Sequence, residues 1–230
     1  MESLVIEFVG LPGVGKSTLC RSVAAELETR GANVHEPIYE RNTYSTIRRI
    51  ASKARFASHG LIANPKTTLR TTQHVRQTDQ QSPSDSIRVL FNLYYVMGVT
   101  NTFQPRASVT LLDQGVFQAR WSVSLQSKQP ITEAIKTVEI PPHLTPDLVV
   151  FVEATDTTIA SRLINRTDGD TRFSPNSEAF ERARDGYETI KSQIESAPDG
   201  PNSITIENET QESLIPNAAR IADVIQSLDG

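Results

Sequence analysis

A single cysteine in 230 residues leaves no partner for an internal disulfide, which excludes a disulfide-stapled scaffold. The lone Cys20 fits a reducing compartment. No apolar run approaches the roughly 20 residues that span a bilayer. The opening MESLVIEFVG holds Glu2 and Glu7 and too short an apolar stretch for a secretion signal. These absences predict a soluble, cytoplasmic protein without a membrane partner. The four histidines, His35, His59, His74 and His143, are scattered and show no H-x-x-x-H spacing, so no zinc site is expected. No Pro/Gly/Ser linker, repeat or low-complexity tract divides the chain, and one domain over residues 1–230 is expected.

Acid is missing locally. From Arg41 to Thr78 there is no Asp or Glu, while Arg41, Arg48, Arg49, Lys53, Arg55, Lys66, Arg70 and Arg76 are all basic. Subtracting these eight charges from the net −4 leaves the rest of the chain at −12. The overall balance makes no demand for nucleic acid. The asymmetry points the segment either at something anionic or at solvent, as a surface balanced by acidic neighbours within the fold.

What is present is an alternation of strands and helices. LVIEFVG reads as a first strand, and Lys16 to Arg30 as a helix with Leu19, Val23 and Leu27 on one face and Gly31 as its stop. Residues 32–37 read as a short second strand. The basic segment reads as irregular helix broken near Gly60 and Pro65. A long apolar helix follows, capped by Ser84 or Asp85. Residues 108–113 and 147–154 are apolar strands, each followed by a helix. A polar helix over 178–195, a strand at NSITIEN and a closing helix over 214–228 complete the pass. Such alternation predicts a parallel sheet covered on both faces.

GLPGVGKST, Gly10 to Thr18, matches G-x-x-x-x-G-K-[ST], the P-loop or Walker A motif, between a strand and a helix. Glycines let the backbone of Gly10, Leu11, Pro12, Gly13, Val14 and Gly15 wrap closely and aim N–H groups at phosphate oxygens. The helix N-terminus adds partial positive charge. Lys16 should reach the β- and γ-phosphates, Ser17 should ligate Mg²⁺, and Thr18 should add a phosphate contact.

The loop alone does not say what the phosphate is used for. NRTD, Asn165 to Asp168, imitates a guanine-reading N-K-x-D, but it follows a helix and has Arg166 in place of lysine. Gly115 comes one residue too early for D-x-x-G, which argues against a GTPase. A motor ATPase would pair the strand-end aspartate with a glutamate that activates water. Here Asp113 is followed by Gln114, which can orient water but is no strong base.

Three stretches in order, IEFVGLPGVGKSTL, LLDQG and PDLVVFVEATDTTIASRLINR, resemble the thymidylate kinase-like and nucleoside-kinase branch of P-loop kinases. The last carries Arg162 and Arg166 in the family's Arg-x-x-x-Arg pattern. A further likeness is to poorly characterised P-loop proteins with a D-E-G-x-x-Q element, which Asp113, Gln114, Gly115 and Gln118 nearly reproduce. The resemblance implies an α/β, three-layer P-loop NTPase fold with a five-stranded parallel sheet. It also implies a helical acceptor-site insertion, here about residues 38–105, and a lid, here about 162–175.

The expected roles follow. Lys16, Mg²⁺ and the arginines Arg162, Arg166 and Arg172 would neutralise the diffuse charge of phosphoryl transfer. Asp113, at the C-terminal end of a buried strand where open α/β sheets bind ligands, would hold Mg²⁺ through water or accept an acceptor proton. Its alternative is a helix cap. Gln114 and Gln118 share a helix face toward the acceptor. Where the family has an arginine, Gln114 offers hydrogen bonds without charge. Then either Arg120 or the basic segment, with Arg48 and Arg76 as candidates, supplies the charge, or the acceptor has no phosphate there. Phe117 and Trp121 read as core packing; His35 and Glu36, at the end of the second strand, approach the acceptor pocket, with a satisfied structural histidine as the preferred reading of His35.

The resulting expectation is an ATP-dependent, Mg²⁺-using kinase of a small, anionic or nucleotide-like acceptor. The alternatives are an ATP-binding regulatory module or slow ATPase switch, and a polynucleotide 5′-hydroxyl kinase. Neither ATP against GTP nor a homodimer is decided by the residues.

Overall fold

The computed structural model describes residues 3–38, 45–103, 109–165 and 177–228. Five strands, β1 (Leu4–Val9), β2 (Val34–His35), β3 (Val109–Leu112), β4 (Leu148–Glu153) and β5 (Asn202–Glu207), form one sheet in the order β2-β3-β1-β4-β5. Every pairing is parallel, as the strand–helix alternation predicts. β1 and β4 lie inside the sheet and are apolar along most of their length, which suits strands covered on both faces.

Nine α-helices are present among the described residues. α1 (Lys16–Thr29) packs with the closing helix α9 (Leu214–Leu228), burying Leu19, Val23 and Leu27. Arg30 joins the two, donating to Asp223 at 2.6 Å and Gln226 at 2.8 Å. Gly31 ends α1 at φ +86°, a left-handed position that glycine adopts at no steric cost. A second group consists of α4 (Pro83–Phe103), α5 (Val116–Leu125), α6 (Ile131–Thr137) and α8 (Glu178–Glu195), whose members pack on one another. α6 and the 3₁₀ turn Pro142–Leu144 occupy a stretch in which the sequence reading recognised no element. α7 (Asp156–Ile164) follows β4.

The basic segment is two helices, α2 (Thr46–Ala63) and α3 (Pro65–Gln77), and the break differs from the one expected. Gly60 does not interrupt α2. A Cβ at Gly60 would lie 2.0 Å from the Tyr94 carbonyl oxygen, and one at Gly98 would lie 1.9 Å from that of Phe56. Both glycines therefore mark a backbone-to-backbone crossing of α2 and α4. The real break is at Asn64–Pro65, where Asn64 Oδ1 caps α3 by accepting from Thr67 N at 3.2 Å. α4 is capped by Ser82, whose Oγ accepts from Asp85 N at 3.1 Å. Neither Ser84 nor Asp85 plays the expected capping part, because the helix starts earlier, at Pro83.

Candidate functional site

The P-loop joins the C-terminal end of β1 to α1. Gly13 (φ +91°) and Gly15 (φ +92°) are in the left-handed region, which lets the loop fold back on itself. Lys16 Nζ donates to the carbonyls of Gly10 at 2.6 Å and Leu11 at 3.0 Å, so the ammonium arches over the loop. The side chains of Leu11 and Val14 are buried beneath it.

Asp113 immediately follows β3, which pairs with β1. Ser17 Oγ donates to Asp113 Oδ2 at 2.7 Å. The other oxygen, Asp113 Oδ1, is buried and has no hydrogen-bond partner. Asp113 does not supply the side-chain cap of α5. That helix starts at Val116 with Gly115 as its N-cap residue, and no side-chain bond runs from Gly115.

The capping group comes from β1 instead. Glu7 is fully buried, and its Oε1 accepts from Gln118 N at 2.8 Å while Oε2 accepts from Phe117 N at 3.1 Å. Burial pushes its carboxyl up to about 7, against the pull of the amides of Gln118, Phe117, Val116 and Gly115. A Cβ at position 115 would lie 2.4 Å from Glu7 Oε2, so only glycine fits there. Gln118 Oε1 in turn accepts from Gly10 N at 3.4 Å. Glu7, Gly115 and Gln118 thus tie the start of α5 to the start of the P-loop. A lone charge inside an apolar strand was the sequence signal for Glu7, and its role could not be read from that alone.

A cavity of about 650 Å³ opens at this edge, within the usual range for small-molecule sites. Pro12, Gly13, Gly15, Lys16, Ser17 and Thr18 line one side, and Asp113, Gln114 and Gln118 another. Arg162 also lines it, held by Val14 O at 2.9 Å and Glu209 O at 3.0 Å. Arg166, Arg172 and most of the expected lid lie outside the described residues. Arg48 and Arg76 are exposed on α2 and α3 and do not line the cavity.

Arg120 does not supply the charge that Gln114 lacks. Its guanidinium is turned away, donating to Ile135 O at 2.8 Å and Gln193 Oε1 at 3.0 Å, and burial lowers its pKa to about 10. Phe117 and Trp121 are core residues as expected. Glu36, just beyond β2, is buried and bound by Arg21. Desolvation raises its pKa despite that contact, and Asp113 adds to the rise. Cys20 is buried, and burial pushes its thiol up, with Asp113 and Glu36 adding to the effect.

Asn208, after β5, went unnoticed in the sequence. It is buried, its Nδ2 donates to Val14 O at 2.8 Å, and a Cβ at Gly15 would meet that nitrogen at 2.5 Å. Asn208, Thr210, Gln211 and Leu214 form the far wall of the cavity. The only available signal was position: a polar residue just beyond the C-terminal end of a parallel strand.

No family model matches the chain, and no curated protein sequence matches it. Solved structures do match. Deoxyadenosine kinase from M. mycoides with bound dCTP is similar at a TM-score of 0.56 and 14% identity, covering 97% of this chain and 100% of that one. Thymidylate kinase from Ehrlichia chaffeensis is similar at a TM-score of 0.52 and 14% identity, covering 98% of this chain and 100% of that one. The fold is that of the P-loop kinases. In this kinase fold the P-loop and Asp113 share one edge of the sheet, where parallel α/β sheets place their ligands. Among the described residues no helix is long and apolar enough to cross a membrane.

Proposed function

We propose that the chain is an ATP-dependent phosphotransferase that moves the γ-phosphoryl group to a small acceptor of nucleoside or nucleotide type. The observation that carries this reading is the meeting of Ser17 and Asp113 at 2.7 Å on the wall of the P-loop cavity. A Gly-rich loop with a lysine, a hydroxyl and a strand-end carboxylate is the set that phosphoryl transfer needs. The kinases that share the fold support the same chemistry.

The P-loop amides and Lys16 would bind the triphosphate, and Arg162 would stand over it from α7. The residues fit Mg²⁺: a hydroxyl and a carboxylate are already paired, and Asp113 Oδ1 is buried without a partner. Ser17 and Asp113 would hold the ion, and when bound it neutralises charge on the phosphates. The acceptor oxygen attacks the γ-phosphorus, its proton passes to a carboxylate on the Asp113 side, and the bond to ADP breaks.

The test is ADP release over nucleosides, nucleotides and sugars. Turnover should rise with an acceptor and should be lost in Lys16→Ala. A slow ATPase switch is the second reading, favoured by Gln114, a water-orienting side chain, on the cavity wall. It requires ADP release that no acceptor stimulates.

A further inference from the structure

The N-terminus of α5 stands directly after Asp113, Gln114 and Gly115. A helix start of this kind, with free amides and a partial positive charge, is a ready site for an anion such as an acceptor phosphate. Here it is already filled from within the chain. Glu7 accepts from Gln118 N at 2.8 Å and Phe117 N at 3.1 Å, and its carboxylate lies where a side chain at position 115 would begin. The amides that could hold an external phosphate are committed to an internal carboxylate.

The neighbouring side chains tell the same way. Gln114 lines the cavity with an amide and no charge, and Gln118 is turned to Gly10 N. Asp113 and Glu36 are acidic, and Arg21 is bound to Glu36. Arg120 is turned to Ile135 and Gln193. Among the described residues the cations that reach the loop, Lys16 and Arg162, contact Gly10, Leu11 and Val14 on the donor side. A phosphate dianion brought to the Asp113 side would find, among the described residues, the α5 amides and Arg120 already committed elsewhere and only an uncharged amide at Gln114, which disfavours it against a neutral acceptor.

From this we infer that the acceptor is uncharged at the end that meets Asp113: a neutral alcohol such as a nucleoside or a sugar, not a nucleoside monophosphate. Gln114 and the Glu7-filled helix start set that choice. The inference rests on the phosphotransferase reading and narrows its substrate class.

The test compares kcat/KM, at saturating ATP and Mg²⁺, for deoxyadenosine, thymidine and free sugars against the 5′-monophosphates of the same compounds. One or more neutral acceptors should exceed their monophosphates by about 10²-fold. The nucleoside and sugar arms separate the two sources of a neutral hydroxyl. Gln114→Arg, at an exposed position that leaves folding intact, should narrow the gap about tenfold by favouring monophosphates. Monophosphates used as well as or better than neutral compounds would overturn the inference and leave the phosphotransferase reading standing. Turnover with neither class, in protein that still binds ATP through Lys16, overturns both.

Discussion

Ser17 Oγ and Asp113 Oδ2 lie 2.7 Å apart although 96 positions separate them in the chain. The contact joins the first turn of α1 to the end of β3 at the mouth of the cavity. Replacing Asp113 by Asn keeps the shape and removes the charge. We expect kcat to fall by about 10² to 10³-fold while ATP binding without metal changes little. ADP release and a nucleotide titration measure the two quantities. An unchanged kcat would remove Asp113 from the reaction.

Glu7 sets a pH dependence. Its folded pKa, about 7, stands above the ordinary 4.5 of an unfolded glutamate, so the native state holds more protons between these values. Its contribution to stability is present below pH 4.5 and is lost as pH rises toward 7. The span corresponds to about 3 kcal/mol. Urea unfolding of the wild type and Glu7→Gln from pH 4.5 to 8 isolates the effect, because the amide does not titrate. The difference between them should shift against the wild type as pH rises. A constant difference would mean that Glu7 stays ionised throughout, held by the α5 amides.

Gly60 and Gly98 should each resist substitution. Alanine at either would set a methyl about 2 Å from a backbone oxygen, a contact that only a shift of α2 against α4 relieves. Each variant should lose roughly 1–3 kcal/mol in denaturant unfolding. Wild-type midpoints for both would contradict the close crossing.

Asn208 should act through the P-loop. Asn208→Ala removes the bond to Val14 O and frees the loop beside Gly15. ATP affinity should fall about tenfold, the equivalent of one ordinary hydrogen bond. Calorimetric titration reads this directly. Loss of stability without loss of affinity would confine Asn208 to the scaffold.

Cys20 should be inert. Its thiol is buried and pushed away from the thiolate form. A thiol reagent should label it only as fast as the protein unfolds. Rapid labelling of the native protein would disprove the burial.

Local pattern was enough to establish the strand–helix alternation, α1 with its Leu19, Val23 and Leu27 face, α8 over 178–195, α9 over 214–228 and the P-loop with Lys16 and Ser17. These features have periods of two or about four residues, or a fixed spacing within nine, so neighbours in sequence carry them. The rest depended on which strand lies beside which. The order β2-β3-β1-β4-β5 brings Asp113 to Ser17, Glu7 to the start of α5 and Asn208 to Val14, across separations of 96 to 194 positions. No local rule states those distances. Tertiary packing likewise turned Arg120 inward, because its guanidinium found Ile135 O and Gln193, and it made Gly60 a crossing instead of a break. Gln114 was legible as an uncharged residue in the sequence. Only the fold showed that the helix start beside it is already occupied by Glu7.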